Sequence, residues 1–245
     1  MENYIVEGNI SVKAVILANR RKVSKIMVDQ EKKDKDTLFI LRQAKARKIP
    51  IIYTSRTSID ELAQGKTHGG IIAFCNERRY QNLSKIMHKK DVFLALVEGV
   101  EDPFNFGYVL RTLYAAGCDG VIVGPRNWTT AADVVTKSSA GASEYMNICI
   151  SENLDETLQT LQNNNIELIC AHRKDAQSLY SYQFPKRICI AIGGEMRGLS
   201  KTVMSYSNQN LFIPYRNDFK NAMTAAASTA IFAFEIVRQK NNFDK

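Results

Sequence analysis

The sequence lacks the features by which membrane, secreted and metal-binding proteins are commonly recognised. No stretch of the 245 residues approaches the roughly 18 consecutive apolar residues of a membrane span. The N-terminus has no basic region followed by an apolar segment, the pattern of a secretory signal. The three histidines lie far apart, and the five cysteines form no Cys-x-x-Cys pair. These absences predict a cytoplasmic protein with reduced core cysteines, no metal site and no membrane partner.

Acidic residues are scarce relative to basic ones only in the first third of the chain. Residues 1–88 hold 17 Lys and Arg against 9 Asp and Glu, whereas residues 89–245 hold 16 of each, so the net charge of +8 lies in the first segment. This asymmetry indicates a basic module that contacts a polyanion, joined to a neutral module with another task. Arg20, Arg21 and Lys22 follow the first predicted helix, in a loop suited to phosphate contacts. A merely solvated basic surface is the alternative.

The hydrophobic pattern predicts strands and helices that alternate along the chain. The first domain, residues 1–80, has predicted helices at 8–18, 34–44 and 59–62 and strands at 25–28, 51–54 and 70–75. A polar linker follows at 81–90. The second domain, residues 91–245, has predicted strands at 92–97, 120–123, 146–150, 166–170, 188–192 and 210–213, and helices at 105–116, 130–136, 153–163 and 220–239. The pattern predicts an α/β fold with a mainly parallel sheet covered by helices on both faces.

A glycine-rich loop follows an unbroken apolar run in the second domain. The run Ile188–Ile192 suits a parallel strand buried on both faces, and Gly193, Gly194 and Gly198 come after it. Bare backbone there can close around a ligand at the carboxyl end of a strand, where open α/β sheets place their sites. A tight turn between strand and helix is the alternative. A nucleotide P-loop is excluded, because Leu199 stands where that motif needs a lysine.

Two further segments follow strand ends of the same domain. Asp102-Pro103 predicts a turn, and a helix follows from near Asn105 through Arg111. An arginine on an otherwise apolar helix needs an anion, which is either an internal carboxylate or a substrate phosphate. The other segment, Ile213-Pro214, ends a strand before the last helix. If the three strand ends are adjacent in the sheet, their loops form one cleft.

Together these motifs resemble the SpoU (TrmH-type) RNA 2′-O-ribose methyltransferases of the SPOUT superfamily. The chain reads Asp-Pro-x-Asn-x-Gly-x-x-x-Arg from Asp102, Gly-x-Glu-x-x-Gly-Leu-Ser from Gly193, and Ile-Pro at Ile213. Residues 139–142 match the family's Ser-Ala-Gly-Ala, and residues 68–70 read His-Gly-Gly where His-Gln-Gly is usual. The resemblance covers nearly the whole chain, with the first 80 residues similar to the family's substrate-binding domain.

The resemblance implies a C-terminal α/β domain with a trefoil knot, a homodimer, and S-adenosylmethionine held in the knot. It also implies a basic N-terminal domain that binds RNA. By position, the cofactor contacts are Gly193, Gly194, Ile213 and Ala222, made mostly by backbone groups, and Glu195 supports the loop.

The implied reaction is attack of a ribose 2′-oxygen on the sulfonium methyl. The candidate catalytic residues are Arg111, Asn105 and Glu195, with Asn221 as the candidate substitute for a family asparagine that this chain lacks. The family's proposal makes Arg111 the base. A guanidinium has a pKa above about 12, so we favour Arg111 as a clamp on the flanking phosphate, with Asn105 orienting the ribose.

One motif departs from the family pattern. The third motif is usually Ser-Leu-Asn, and the matching residues here are Asn221, Ala222 and Met223. A thioether cannot make the hydrogen bonds of an amide. Met223 therefore motivates the alternative of a non-catalytic RNA-binding protein that retains the knotted fold. The resemblance as a whole implies an S-adenosylmethionine-dependent RNA 2′-O-methyltransferase acting on ribosomal RNA, which is the prediction we adopt.

Overall fold

A computed structural model describes residues 4–125 and 132–240 of the chain. The described residues form two compact units, one of residues 4–79 with 132–145 and the other of residues 80–125 with 146–240. The sequence places a single linker at 81–90. Residues 132–145 belong to the predicted second domain by sequence, but in the structure they form part of the first compact unit.

The first unit is a four-stranded mixed sheet with helices. Its elements are β1 (Tyr4–Glu7), α1 (Asn9–Ala18), β2 (Val23–Asp29), α2 (Lys35–Ala46), β3 (Ile51–Thr54), α3 (Arg56–Asp60), β4 (Ile71–Cys75), α5 (Ala132–Ser138) and α6 (Ala142–Tyr145). The strand order is β1-β4-β2-β3, in which β2 and β3 pair parallel and the other pairs are antiparallel. Apolar residues of α1, α2 and the sheet form the larger core of this unit.

Local capping explains where the helices of the first unit begin. Asp34 accepts a hydrogen bond from the backbone N–H of Thr37 at 2.9 Å, which fixes the start of α2 at Lys35, next to the predicted start at residue 34. α3 begins at Arg56, earlier than predicted, because Ser55 caps it by accepting from the N–H of Ser58 at 3.2 Å. Strand β1 was not predicted, since its four residues are too short for a clear alternating pattern.

A buried ion pair holds α6 within the first unit. The Nε atom of Arg21 lies 3.1 Å and 3.2 Å from the two carboxylate oxygens of Glu144, and the Thr136 hydroxyl donates to the same carboxylate at 3.3 Å. Arg21 is only 6% exposed and Glu144 is fully buried. Arg21 is therefore a structural ion-pair residue, not the RNA contact predicted from its sequence position, because its guanidinium is turned inward onto a carboxylate.

Packing against α1 requires glycine at position 141 of the Ser-Ala-Gly-Ala segment. Gly141 has φ of +80°, and a Cβ built on it lies 2.6 Å from the Cβ of Ala14 and 3.4 Å from the carbonyl oxygen of Ile10. A side chain at this position would collide with α1, so the segment reaches that helix only with glycine.

The second unit contains a seven-stranded sheet. Its elements are β5 (Val92–Glu98), α4 (Pro103–Ala115), β6 (Gly120–Val123), β7 (Ile148–Ile150), α7 (Leu154–Asn163), β8 (Glu167–Ala171), β9 (Ala176–Ser178), β10 (Arg187–Gly193), α8 (Lys201–Ser205), β11 (Gln209–Phe212) and α9 (Ala225–Lys240), with 3-10 turns at Leu83–Lys85 and Leu179–Ser181. The strand order is β7-β6-β5-β10-β8-β11-β9, and every pairing described in this sheet is parallel. The predicted α/β class with a mainly parallel sheet is confirmed.

The cysteines lie in the cores, as their apolar surroundings predict. All five are buried and none is in a disulfide. Burial raises the pKa of Cys75 and of Cys118 to about 12, and that of Cys149 and of Cys170 to about 11. These thiols are protonated at neutral pH and are therefore poor nucleophiles. None of the helices within residues 4–125 and 132–240 is long and apolar enough to cross a membrane.

Two helix starts in the second unit differ from the prediction. Asp102 caps α4 by accepting from the N–H of Asn105 at 2.8 Å, and Pro103 occupies the first helical position, so the predicted turn is the first turn of the helix. α9 begins at Ala225, several residues later than predicted. The Thr224 hydroxyl accepts from the N–H of Ala227 at 3.2 Å, which places the cap after the third motif.

Candidate active site

The loops of the three motifs emerge at one edge of the parallel sheet. β5 and β10 are neighbours, with Glu98 in register with Gly193, so the loops after them lie side by side. β11 is not adjacent to β10, because β8 lies between the two. The end of β8, at Ala171, is therefore a fourth contributor that the sequence did not single out.

Glu98 organises the glycine loop. Its carbonyl accepts from the N–H of Gly194 at 2.7 Å, and its carboxylate accepts from the N–H of Ser200 at 2.7 Å. The loop closes on itself through the N–H of Gly198, which donates to the carbonyl of Gly194 at 2.9 Å. One residue thus holds both ends of the loop. The sequence did not single out Glu98, because the predicted strand ended at Val97.

The glycines are required by contacts within the chain itself. A Cβ built on Gly194 lies 2.0 Å from the carbonyl oxygen of Gly99, and one built on Gly193 lies 2.4 Å from the carbonyl carbon of Gly198. Both clashes are with backbone, which no rotamer change relieves. The tight-turn alternative and the ligand-site prediction are therefore compatible, since the turn itself forms the wall of a cavity.

The first cavity, of about 290 Å³, lies between the loops of the first and second motifs. Its wall includes Asn105, Gly194, Glu195 and Arg197, together with residues 99–102. Glu195 also accepts from the N–H of Ala225 at 3.4 Å, which joins the glycine loop to the start of α9. The structure thus brings together three residues that the sequence placed in the site.

The second cavity, also of about 290 Å³, lies at the third motif. The predicted residues Ile213 and Ala222 line it with Met223, and its further wall consists of Ala171, His172, Arg173, Leu211, Phe212, Tyr215, Ser228 and Phe232. The N-terminal part of α9 borders both cavities, since Ala225 lines the first and Ser228 the second.

Three predicted residues lie outside the walls of these two cavities. Gly193 is the last residue of β10, where its bare backbone packs against Gly198. Arg111 is exposed on the outer face of α4, two turns beyond Asn105. Asn221 is exposed, and its backbone carbonyl accepts from Arg173 at 3.1 Å. Their predicted roles stay predictions.

Comparison with known proteins assigns the family. Residues 91–234 match the model described as the SpoU rRNA Methylase family, which is more than half of the chain. The chain belongs to this family. Residues 5–81 also match the model for the substrate-binding domain of RNA 2′-O ribose methyltransferases. The family predicted from the motifs is confirmed, and methyl transfer is favoured over the non-catalytic alternative.

Individual relatives agree with this assignment over the full length. The chain is 29% identical to the 23S rRNA (guanosine-2′-O-)-methyltransferase RlmB of Shewanella oneidensis, over 97% of this chain and 98% of the relative. Two solved structures share the fold. They are the SpoU methyltransferase AviRb of Streptomyces viridochromogenes in complex with AdoMet (TM-score 0.82, 19% identity, 97% of this chain and 90% of that chain) and the AdoMet-bound rRNA methyltransferase of Sinorhizobium meliloti (TM-score 0.81, 18% identity, 98% and 88%).

The contact between Gly194 and Gly99 provides a test of the loop. We expect Gly194→Ala to lower the free energy of unfolding by about 1–3 kcal/mol, because its Cβ must push two backbone segments apart. The matched control is Gly124→Ala, at a glycine without a positive φ whose added Cβ has open space around it. Urea denaturation of both variants measures the difference, and equal stability of the two would contradict this account.

Proposed function

We propose that this SpoU-family protein transfers the methyl group of S-adenosylmethionine to a ribose 2′-hydroxyl of ribosomal RNA. The observation that carries the proposal is the pair of cavities at the carboxyl ends of the parallel strands, both bordered by the start of α9. One contains the predicted cofactor contacts Ile213 and Ala222, and the other contains Asn105, which is predicted to orient the ribose. The name of the RlmB relative supports ribosomal RNA as the substrate class.

The residues of the second cavity fit S-adenosylmethionine. Its wall has apolar side chains such as Ile213 and Phe232 for the adenine, and loop backbone at Ala222 and Met223 for polar contacts. Among the described residues of its wall there is no lysine and one arginine, Arg173, which is bonded to backbone carbonyls, and this suits a cofactor without phosphates. When bound, the cofactor supplies an activated methyl group, so the protein's main contribution is to position the reactants.

The first cavity suits the ribose. Asn105 has an amide that can orient the ribose hydroxyls, and Glu195 keeps the glycine loop attached to α9. Arg111 lies on the exposed face of the same helix as Asn105, where a guanidinium can bind a phosphate with two parallel hydrogen bonds. With the cofactor bound, the positive charge of Arg111 near the ribose would lower the pKa of the 2′-hydroxyl, whose proton would pass to solvent as its oxygen takes the methyl group.

Replacing Arg111 tests the clamp. We expect Arg111→Ala to lower methyl transfer to unmodified ribosomal RNA on the order of 100-fold, because the ribose loses its orientation. Arg111→Lys should restore transfer only in part, since an ammonium cannot form the bidentate contact. Transfer is measured with radiolabelled cofactor, and cofactor affinity by calorimetry. A loss of cofactor affinity as large as the loss of transfer rules out the clamp.

The basic first unit is the part of the protein that binds RNA in this proposal. The net charge of the whole chain lies in residues 1–88, and the substrate-binding model covers residues 5–81. Lys22 is exposed in the loop between α1 and β2, and Arg20 is partly exposed beside it. Arg21, which lies between them, is turned inward onto Glu144. In this proposal Arg20 and Lys22 bind RNA, whereas Arg21 between them stabilises the fold.

This alternation can be tested with neighbouring variants. We expect Lys22→Ala to weaken RNA binding and to reduce the salt slope of binding by about 1, while stability changes by less than about 0.5 kcal/mol. Arg21→Ala should instead cost about 3–5 kcal/mol of stability, because Glu144 is left buried without its partner. Filter binding at several salt concentrations and urea denaturation give the two readings. Similar stability losses in both variants would refute the distinction.

The homodimer and the knot also belong to the proposal. α4 exposes Phe104 and Tyr108 one turn apart, and α9, which packs against α4, exposes Phe234. Exposed aromatic residues are typical of protein interfaces, and a second copy of the chain is the partner we propose. Family membership supports a trefoil knot in the second unit. The five buried free thiols support our proposal that the protein acts in the cytoplasm, where thiols stay reduced.

A charge on this face tests the dimer. We expect Tyr108→Glu combined with Phe234→Glu to convert a dimer into a monomer in analytical ultracentrifugation, because carboxylates lose their hydration in an apolar interface. The control is Tyr180→Glu, at a tyrosine of similar exposure outside α4 and α9. A wild-type protein that sediments as a monomer, or a double variant that stays a dimer, overturns the proposal.

A further inference from the structure

The third-motif loop forms part of the cofactor cavity without regular structure of its own. Residues 213–224 connect β11 to α9 outside any helix or strand, and Ala222 and Met223 within them line the second cavity. Met223 has no side-chain atom that makes a strong hydrogen bond. The shape of the loop must therefore be held by other groups.

Arg173, which follows β8 and lines the same cavity, binds this loop. Its Nη1 donates to the carbonyl of Lys220 at 2.9 Å and its Nη2 donates to the carbonyl of Asn221 at 3.1 Å. The guanidinium carbon lies 4.5 Å from the centre of the Tyr215 ring, within the range of a cation–π contact. Arg173 thus contacts the beginning of the loop at the ring of Tyr215 and the later part of the loop at two backbone carbonyls.

Tyr215 completes the arrangement from inside the loop. Its hydroxyl accepts from the backbone N–H of Met223 at 3.1 Å, and its ring packs against Phe219 at 6.1 Å between centroids. The N–H of Met223 is therefore satisfied by a residue eight positions earlier. This bond fixes the backbone next to Ala222, where a cofactor would contact it.

The position of Arg173 is itself fixed by the sheet. The N–H of His172 donates to the carbonyl of Leu211 at 3.0 Å, and the Asn210 side chain donates to the carbonyl of Lys174 at 3.1 Å, so β11 holds the turn on both sides of Arg173. The N–H of Lys174 also donates to Nδ1 of His172 at 3.2 Å. The guanidinium therefore extends from a turn that is anchored to the same strand from which the loop begins.

We propose that Arg173 and Tyr215 are positioning residues that hold Ala222 and Met223 in the geometry needed to bind the methyl donor. The inference rests on the proposed function, in which the second cavity holds S-adenosylmethionine. Arginine is required because one planar guanidinium group binds two carbonyls and a ring face at once, which the single ammonium of lysine cannot do. Neither residue needs to contact the reacting atoms.

Cofactor binding is the first measurement. We expect Arg173→Ala to raise the Kd for S-adenosylmethionine at least 10-fold, with Arg173→Lys intermediate, while kcat at saturating cofactor and the KM for RNA stay within about 3-fold. Tyr215→Phe, which keeps the ring and removes the hydroxyl, should raise the Kd less. The control is Lys174→Ala, which removes a neighbouring exposed charge and leaves the backbone bonds of that residue. An unchanged Kd in Arg173→Ala overturns the proposal.

Hydrogen exchange of the protein without any ligand is the second measurement. We expect the amides of residues 220–224 to exchange at least 10-fold faster in Arg173→Ala, and the amide of Met223 to exchange faster in Tyr215→Phe, with no change in Lys174→Ala. Unchanged exchange refutes the clamp even if the Kd rises. A wild-type protein that binds no S-adenosylmethionine refutes the cofactor site instead, and the exchange result then still decides whether Arg173 orders the loop.

Discussion

The approach of Gly194 to Gly99 is the contact on which the site depends. A Cβ added to Gly194 would lie 2.0 Å from the carbonyl oxygen of Gly99, so the loops after β5 and β10 can approach this closely only because Gly194 has no side chain. That contact allows Glu98 to bind the glycine loop at two N–H groups, and it sets Glu195 within reach of the first N–H of α9. Asn105, the glycine loop and α9 are therefore positioned by one another, and the two cavities follow from this arrangement.

Charge is used differently in the two units. In the first unit, Arg21 stabilises the fold through Glu144, whereas its neighbour Lys22 stays in solvent. In the second unit, Arg173 binds carbonyl oxygens and a ring face, and Arg111 lies exposed on α4. Four basic residues of the chain thus lie in distinct environments, and the net charge alone distinguishes none of them.

Periodicity and motif order were sufficient to predict the fold class and the family. The apolar run at 188–192 became the buried strand β10, and Asp34 capped α2, because these features depend on nearby residues. Short elements such as β1, and the start of α9 at Ala225, were missed or misplaced. They depend on pairing with β4 in one case and on the hydroxyl of Thr224 in the other.

The sequence by itself determined the α/β class, the SpoU family, the basic character of the first 88 residues and the candidate set at the three motifs. Only the tertiary structure decided that Arg21 faces Glu144, that the end of β8 joins the site, and that Arg173 and Tyr215 hold the third-motif loop. The physical reason is distance along the chain. Arg21 and Glu144 are 123 residues apart, and Arg173 and Asn221 are 48 apart, so no local pattern records their contact.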